Sequence, residues 1–330
     1  MGMSMNETVA SIDFKKLKSA MEWGGMRRQV EEAIQGLLGD LPKRKPDIQL
    51  KIIDETDHPG FTQQRVNYFV EEWDRVSAWL FIPKGRDEVP AILCCHQETP
   101  EGKDEPAGIS GDPRMDFARH YAELGYATLA PDCITAGERV LIRSAPYEIK
   151  NFKKNYPNLS LWGKMLVDHQ YALDALSEVG RVDAARMGVI GHGLGAANAL
   201  LLSAFDERVL ACVASCGFTR FETDKHPGRW ASEELMLLPE LLKYVEKKDY
   251  PFDWEHILSL AAPSALLIIN SLADSRFHNP KSSQKAVSIA SNVYKLLGAS
   301  RALDHFGHYD GHRITPETQE IADDWFERWL

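Results

Sequence analysis

The sequence contains no apolar run approaching the roughly 18 residues that a membrane span needs. Its opening stretch, MGMSMNETVASIDFKKLK, lacks the apolar centre of a secretory signal. Positive charge is in deficit, with 38 Lys and Arg against 48 Asp and Glu and a net charge of −10. Nucleic acid and anionic membrane surfaces both call for a basic face, so neither is an expected partner. Cysteines are few and odd in number: Cys94, Cys95, Cys133, Cys212 and Cys216. Four of them sit in apolar runs, where a free thiol behaves as a small hydrophobe, and none shows a zinc-type spacing. The expectation is a reducing, cytoplasmic setting with no bound metal.

What is present is an ordinary globular composition, 44% hydrophobic and 26% charged over 330 residues. That suits one large α/β domain with insertions. Residues 1–45 read as a helical extension, with Val30, Ala33, Ile34 and Leu37 at helical spacing. From Ile48 to Pro83 the period falls towards two, and IQLKIIDE, QRVNYFVEE and RVSAWLFIP predict antiparallel strands at one sheet edge. Strand and helix then alternate. AILCCHQ (91–97), YATLAPD (126–132), MGVIG (187–191), VLACVASC (209–216), SALLIIN (264–270) and a short stretch at 299–303 read as strands. Helices fall at about 115–124, 161–179, from 194, at 281–297 and at the C-terminus. This alternation predicts a mostly parallel sheet with helices on both faces. Residues 217–262 interrupt it as an insertion within a domain spanning 46–330.

Ligands of open parallel sheets bind beyond the carboxyl ends of the strands, so reactive side chains are sought there. The stretch MGVIGHGLGA has the glycine spacing of a sharp strand–helix elbow, but its central residue is Gly193. Such a turn demands positive φ, which glycine adopts freely. The N–H of Leu194 then points from a helix N-terminus and can stabilise an oxyanion. The loop HQETPEGKDE can add a second N–H from Gln97, with His96 and Glu98 orienting it. Asp274 follows an apolar strand, where an acid can orient a histidine. His305, His308 and His312 precede the final helix and include a candidate general base. Gly307 and Gly311 argue against a metal-binding helical face there.

Together these pieces follow the order nucleophile elbow, acid, histidine. On CHQETPEGKDEPAGISGD, GYATLAPD, RVDAARMGVIGHGLGAANAL, YPFDWEHILSLAAPSALLIINSLADSRF and GHRITPETQEIADDWFERWL, the chain resembles the α/β-hydrolase superfamily, in its dienelactone hydrolase and acetyl xylan esterase-like branch, over roughly residues 60–330. The resemblance implies a cofactor-free hydrolase of small carboxylic esters. It places Gly193 at the nucleophile position, Asp274 as acid, and His312 as base with His308 as the alternative. Gln97 and Leu194 take the oxyanion-hole positions, 217–262 is a lid, and Trp230 is a substrate contact.

The departure is glycine where that branch has serine. Three readings stay open: an inactivated esterase, a natural serine-less enzyme using Asp274 and His312 as a general-base pair for hydrolysis, lyase or cyclisation chemistry, and a binding protein on a hydrolase fold. Residues 1–45 lie outside the resemblance, and either a homodimer contact or packing over the pocket is open to them.

Overall fold

The computed structural model is described over residues 12–43, 48–72, 74–140, 150–231, 236–277 and 279–330. Its helices, in chain order, are α1 (Ala20–Leu38), α2 (Phe117–Leu124), α3 (Lys150–Asn155), α4 (Leu161–Ser177), α5 (Leu194–Phe205), α6 (Leu242–Val245), α7 (Trp254–Ala261), α8 (Pro280–Leu296) and α9 (Pro316–Trp329). The strands are β1 (Lys51–Asp57), β2 (Phe61–Phe69), β3 (Arg75–Pro83), β4 (Val89–Cys95), β5 (Ala127–Pro131), β6 (Val182–His192), β7 (Val209–Ser215), β8 (Ala265–Ser271) and β9 (Leu303–His308). They form one nine-stranded sheet in the order β1-β2-β3-β5-β4-β6-β7-β8-β9.

The first three strands pair antiparallel, and β3 joins β5 antiparallel. Everything from β5 through β9 is parallel. Every residue of β4, β5 and β8 is buried, and every residue of β7 except Leu210, as continuous apolar strands covered on both faces must be. In contrast β1 is exposed along its whole length. Its Lys51, Asp54, Glu55 and Asp57, with a register shift between Ile52 and Asp54, make it a poor template for another strand.

The helices start where local chemistry satisfies their free N–H groups. The Ser160 hydroxyl accepts from Gly163 N–H at 2.9 Å at the start of α4. Thr315 and Thr318 form a reciprocal cap at α9, with Pro316 in the first turn. Within α5 every residue from Leu194 to Ala204 is buried, so this helix is the central strut behind β6.

Two expectations are corrected. The strand placed at 299–303 lies at Leu303–His308, so His305 and His308 belong to it rather than following it. Hydrogen bonding to β8 overrides the weak β pattern of residues containing two histidines and a glycine. The insertion 217–262 is also shorter than its sequence limits, because α7 is buried and lies against α5 and α8 as the crossover into β8. Among the described residues of that insertion, 217–231 and 236–253 stand outside the strand–helix rhythm.

A buried ion network ties the antiparallel edge to the helical layer. Asp74 Oδ2 accepts from Lys164 Nζ and Arg139 Nη2, each at 2.8 Å, and Arg139 Nη1 lies 2.8 Å from Asp168. Burial pushes the Asp74 carboxyl up, but Arg139 and Lys164 outweigh it and hold the group below its ordinary value. Removing this charge leaves two buried cations sharing Asp168. Asp74→Asn is therefore expected to cost about 3 kcal/mol of stability, read as a lower urea midpoint at neutral pH. Because the folded value is depressed, this contribution is present above the ordinary carboxylate range and disappears as pH falls through the depressed value. The gap between wild type and variant should close in acid.

Candidate active site

The C-terminal end of β6 runs through His192 into Gly193, which has φ 55° and ψ −121°, and α5 begins at the next residue. This conformation is the elbow expected from the sequence. The flanking glycines serve close approach: a Cβ on Gly195 would stand 2.0 Å from Cys95 O, and one on Gly191 2.2 Å from the Gly195 backbone. Gly193 N–H donates to Ser215 O at 2.9 Å, which fixes the turn against β7.

Asp274 comes three residues after β8. Its Oδ1 accepts from the N–H groups of Arg276 (2.7 Å) and Phe277 (3.0 Å), and its Oδ2 pairs with His312 Nδ1 at 2.9 Å. Burial raises its pKa, but the His312 bond and charge, with those two amides, bring it below the ordinary value. The carboxylate is thus ionised, and it favours the His312 tautomer that carries its proton on Nδ1. His312 Nε2 has no hydrogen-bond partner and lies 3.3 Å from where a Cβ on residue 193 would stand. The structure therefore brings Gly193, Asp274 and His312 together. The alternative histidine, His308, receives the Asp310 N–H on Nδ1 and does not bond Asp274. His305 instead bonds Asn270.

Gln97 lies on the other wall, its Cβ 3.5 Å from that same Cβ position and its amide donating to Glu105 at 3.0 Å. His96 anchors this loop, with Nδ1 2.6 Å from Gln97 O and Nε2 accepting from Cys133 N–H at 3.0 Å. Burial lowers its pKa, consistent with a neutral ring.

Glu98 is nearer the elbow than its loop-orienting reading implies. Its Oε2 accepts from Leu194 N–H at 3.1 Å and lies 3.2 Å from the position of a Cβ at 193, while Oε1 pairs with Arg276. The donor assigned to an oxyanion is thus occupied by the protein's own carboxylate. A sequence signal existed in an acid directly after Gln97, but its partner Arg276 is 178 positions away.

Trp230 is not at the open site. It is 3% exposed, enclosed by Trp162, Trp254 and Phe221, because this part of the insertion folds inward as an aromatic core. Phe277 stacks on it at 6.5 Å and reaches His312 at 6.1 Å, so Phe277 is the ring beside the base. The insertion is also tied to the β8 loop by Arg229, which donates to Arg276 O and lies over the Phe277 ring.

A parallel sheet with an antiparallel edge, a glycine elbow after β6 and an acid–histidine pair after β8 and β9 define an α/β-hydrolase fold. Within it, residues 76–229 are similar to the dienelactone hydrolase family. A curated relative, "Putative hydrolase YtaP" of Bacillus subtilis (strain 168), is 25% identical over 311 residues, covering 92% of this chain and all of that one. Among solved structures, a glucuronoyl esterase from Solibacter usitatus superposes with a TM-score of 0.75 at 15% identity, over 99% of this chain and 98% of the other. An acetyl xylan esterase from Paenibacillus sp. R4 does so with a TM-score of 0.61 at 17% identity, over 98% and 96%. No helix among the described residues is long and apolar enough to cross a membrane.

Proposed function

We propose that the protein hydrolyses carboxylic esters of the acyl-ester or lactone class, with the Asp274–His312 pair activating water directly and without an acyl-serine. The observation that carries this reading is His312 Nε2, unpartnered and facing Gly193, with Nδ1 held by Asp274. A water standing where a serine hydroxyl would stand gives its proton to Nε2 as it attacks the ester carbonyl. Asp274 stabilises the imidazolium that forms. The developing oxyanion takes Leu194 N–H, with Gln97 N–H as the second donor, once the Glu98 carboxylate has been displaced. Collapse expels the alkoxide, which recovers the proton from His312. No metal or cofactor enters any step. The glucuronoyl and acetyl xylan esterases among the structural neighbours agree with this substrate class.

Pre-steady-state hydrolysis of a short-chain aryl ester tests the reading. Product should form linearly from the first turnover, with no acyl-enzyme burst, at a rate above that of His312→Ala. Equal rates in the two proteins would reject it. They would leave the second reading, a silenced serine esterase, which the same 3.3 Å approach favours because a hydroxyl fits there as well as water.

Glu98 supplies a separate prediction. Its charged hydrogen bond to Leu194 N–H must break before an oxyanion can use that donor, and such bonds contribute about 1.5–3 kcal/mol. Glu98→Ala should raise kcat/KM for a neutral aryl ester on the order of tenfold. A fall would mean that the carboxylate takes part in the reaction.

A further inference from the structure

The elbow brings together three side chains that the hydrolytic reading uses only in part. His192, Cys216 and His312 each offer a donor atom within 4.8 Å of the other two. His192 is fully buried, with Nδ1 3.0 Å from the Ser215 hydroxyl and Nε2 without a partner. His312 repeats the pattern, with Nδ1 on Asp274 and Nε2 without a partner. The two rings are 4.5 Å apart and inclined at 61°. Cys216 is buried directly after β7 at φ 53°, a left-handed conformation rare for a residue with a side chain. It is held there by its N–H bond to Ile269 O at 2.8 Å. Strain of this kind gathers at functional positions.

We propose that His192, Cys216 and His312 form a binding site for a soft divalent cation of the zinc type. Two imidazoles and one thiolate are a borderline-soft donor set, which selects zinc or cobalt over magnesium or calcium. Each ring already has its Nδ1 on an oxygen, the arrangement that orients a metal-binding histidine through Nε2. In a tetrahedral zinc site the donors stand roughly 3.5 Å apart, so binding draws donors that lie up to 4.8 Å apart together by no more than about 1.3 Å. Gly193 leaves the fourth position open. On binding, the Cys216 thiol gives up its proton to solvent and a sulfur–metal bond forms. Asp274 and Glu98, on either side, offset the remaining positive charge. The cation takes the Nε2 lone pair that water activation needs, so occupancy and His312-dependent hydrolysis exclude each other. Neither the site nor its detection requires that the hydrolytic reading be right.

The test titrates the chelator-treated full chain with Co²⁺ at neutral pH. One equivalent should produce a thiolate-to-cobalt charge-transfer band that Zn²⁺ displaces. Cys216→Ala should abolish the band, and His312→Ala, at the site's edge, should weaken cobalt binding at least about tenfold. Absence of the band, or a band that survives Cys216→Ala, overturns the site. Hydrolysis separates this proposal from the preceding one. Loss of ester turnover as Zn²⁺ is added to the chelated protein supports both. Turnover that appears only with Zn²⁺ keeps the site and rejects metal-free general-base catalysis.

Discussion

Gly193→Ser should increase hydrolysis of short-chain aryl esters on the order of 10³-fold and introduce an acyl-enzyme burst. The serine Cβ would stand 3.3 Å from His312 Nε2, which puts Oγ in reach of the base. In serine hydrolases, losing the nucleophile costs on the order of 10⁶-fold, of which oxyanion hole and binding groups retain a part. Here the acid–histidine pair and Leu194 N–H are in place, and only the nucleophile is added. Glu98 opposes the gain, because its Oε2 lies 3.2 Å from the new Cβ and must move by a few tenths of an ångström. Pairing Gly193→Ser with Glu98→Ala should therefore exceed the single variant. Stability should move the other way. Serine at φ 55°, ψ −121° stores about 1–3 kcal/mol of backbone strain that glycine avoids. A melting midpoint that stays level or rises would count against a strained elbow. An unchanged rate with no burst would show that the serine hydroxyl does not engage His312.

His312→Ala is the second large effect. In the glycine protein, proton transfer through His312 is the only activation that the proposed mechanism gives to water. General-base catalysis contributes on the order of 10²–10⁴-fold, and kcat should fall by that amount with KM little changed. Asp274→Asn should fall as well, since it keeps the shape of the side chain but removes the charge that stabilises the imidazolium. The midpoint of His312→Ala should remain close to wild type, because its ring makes one hydrogen bond and Nε2 none. A matched loss of folding and activity would recast His312 as a structural residue.

Much of this architecture was legible because it rests on local chemistry. Continuous apolar runs such as AILCC and ALLII can only be strands covered on both faces, and the structure buries both. Gly191 and Gly195 announce an elbow because a Cβ at either would collide with backbone, and Gly193 adopts the positive φ between them without strain. Asp274 was found because acids follow the strand ends of such sheets. Legibility failed where burial or a distant partner decided the outcome. Trp230 looks like an exposed ring on an insertion, yet three aromatic rings from separate segments enclose it. His305 and His308 lay beyond the strand read at 299–303, and pairing with β8 placed them in it. Glu98 was read as a loop support, since only the fold brings Arg276 and Leu194 N–H to its two oxygens.

By itself, then, the sequence determined the strand–helix alternation, the elbow and its bare central residue, and the candidate acid and base. Period, glycine placement and chain order carry those features, and all act over a few residues. Tertiary structure alone paired His312 with Asp274, seated Glu98 on the Leu194 amide, and set His192 and Cys216 beside that pair. Each of those outcomes is a distance between groups that lie tens to hundreds of residues apart. Such a distance follows only from how β4, β6, β7, β8 and β9 register within one sheet.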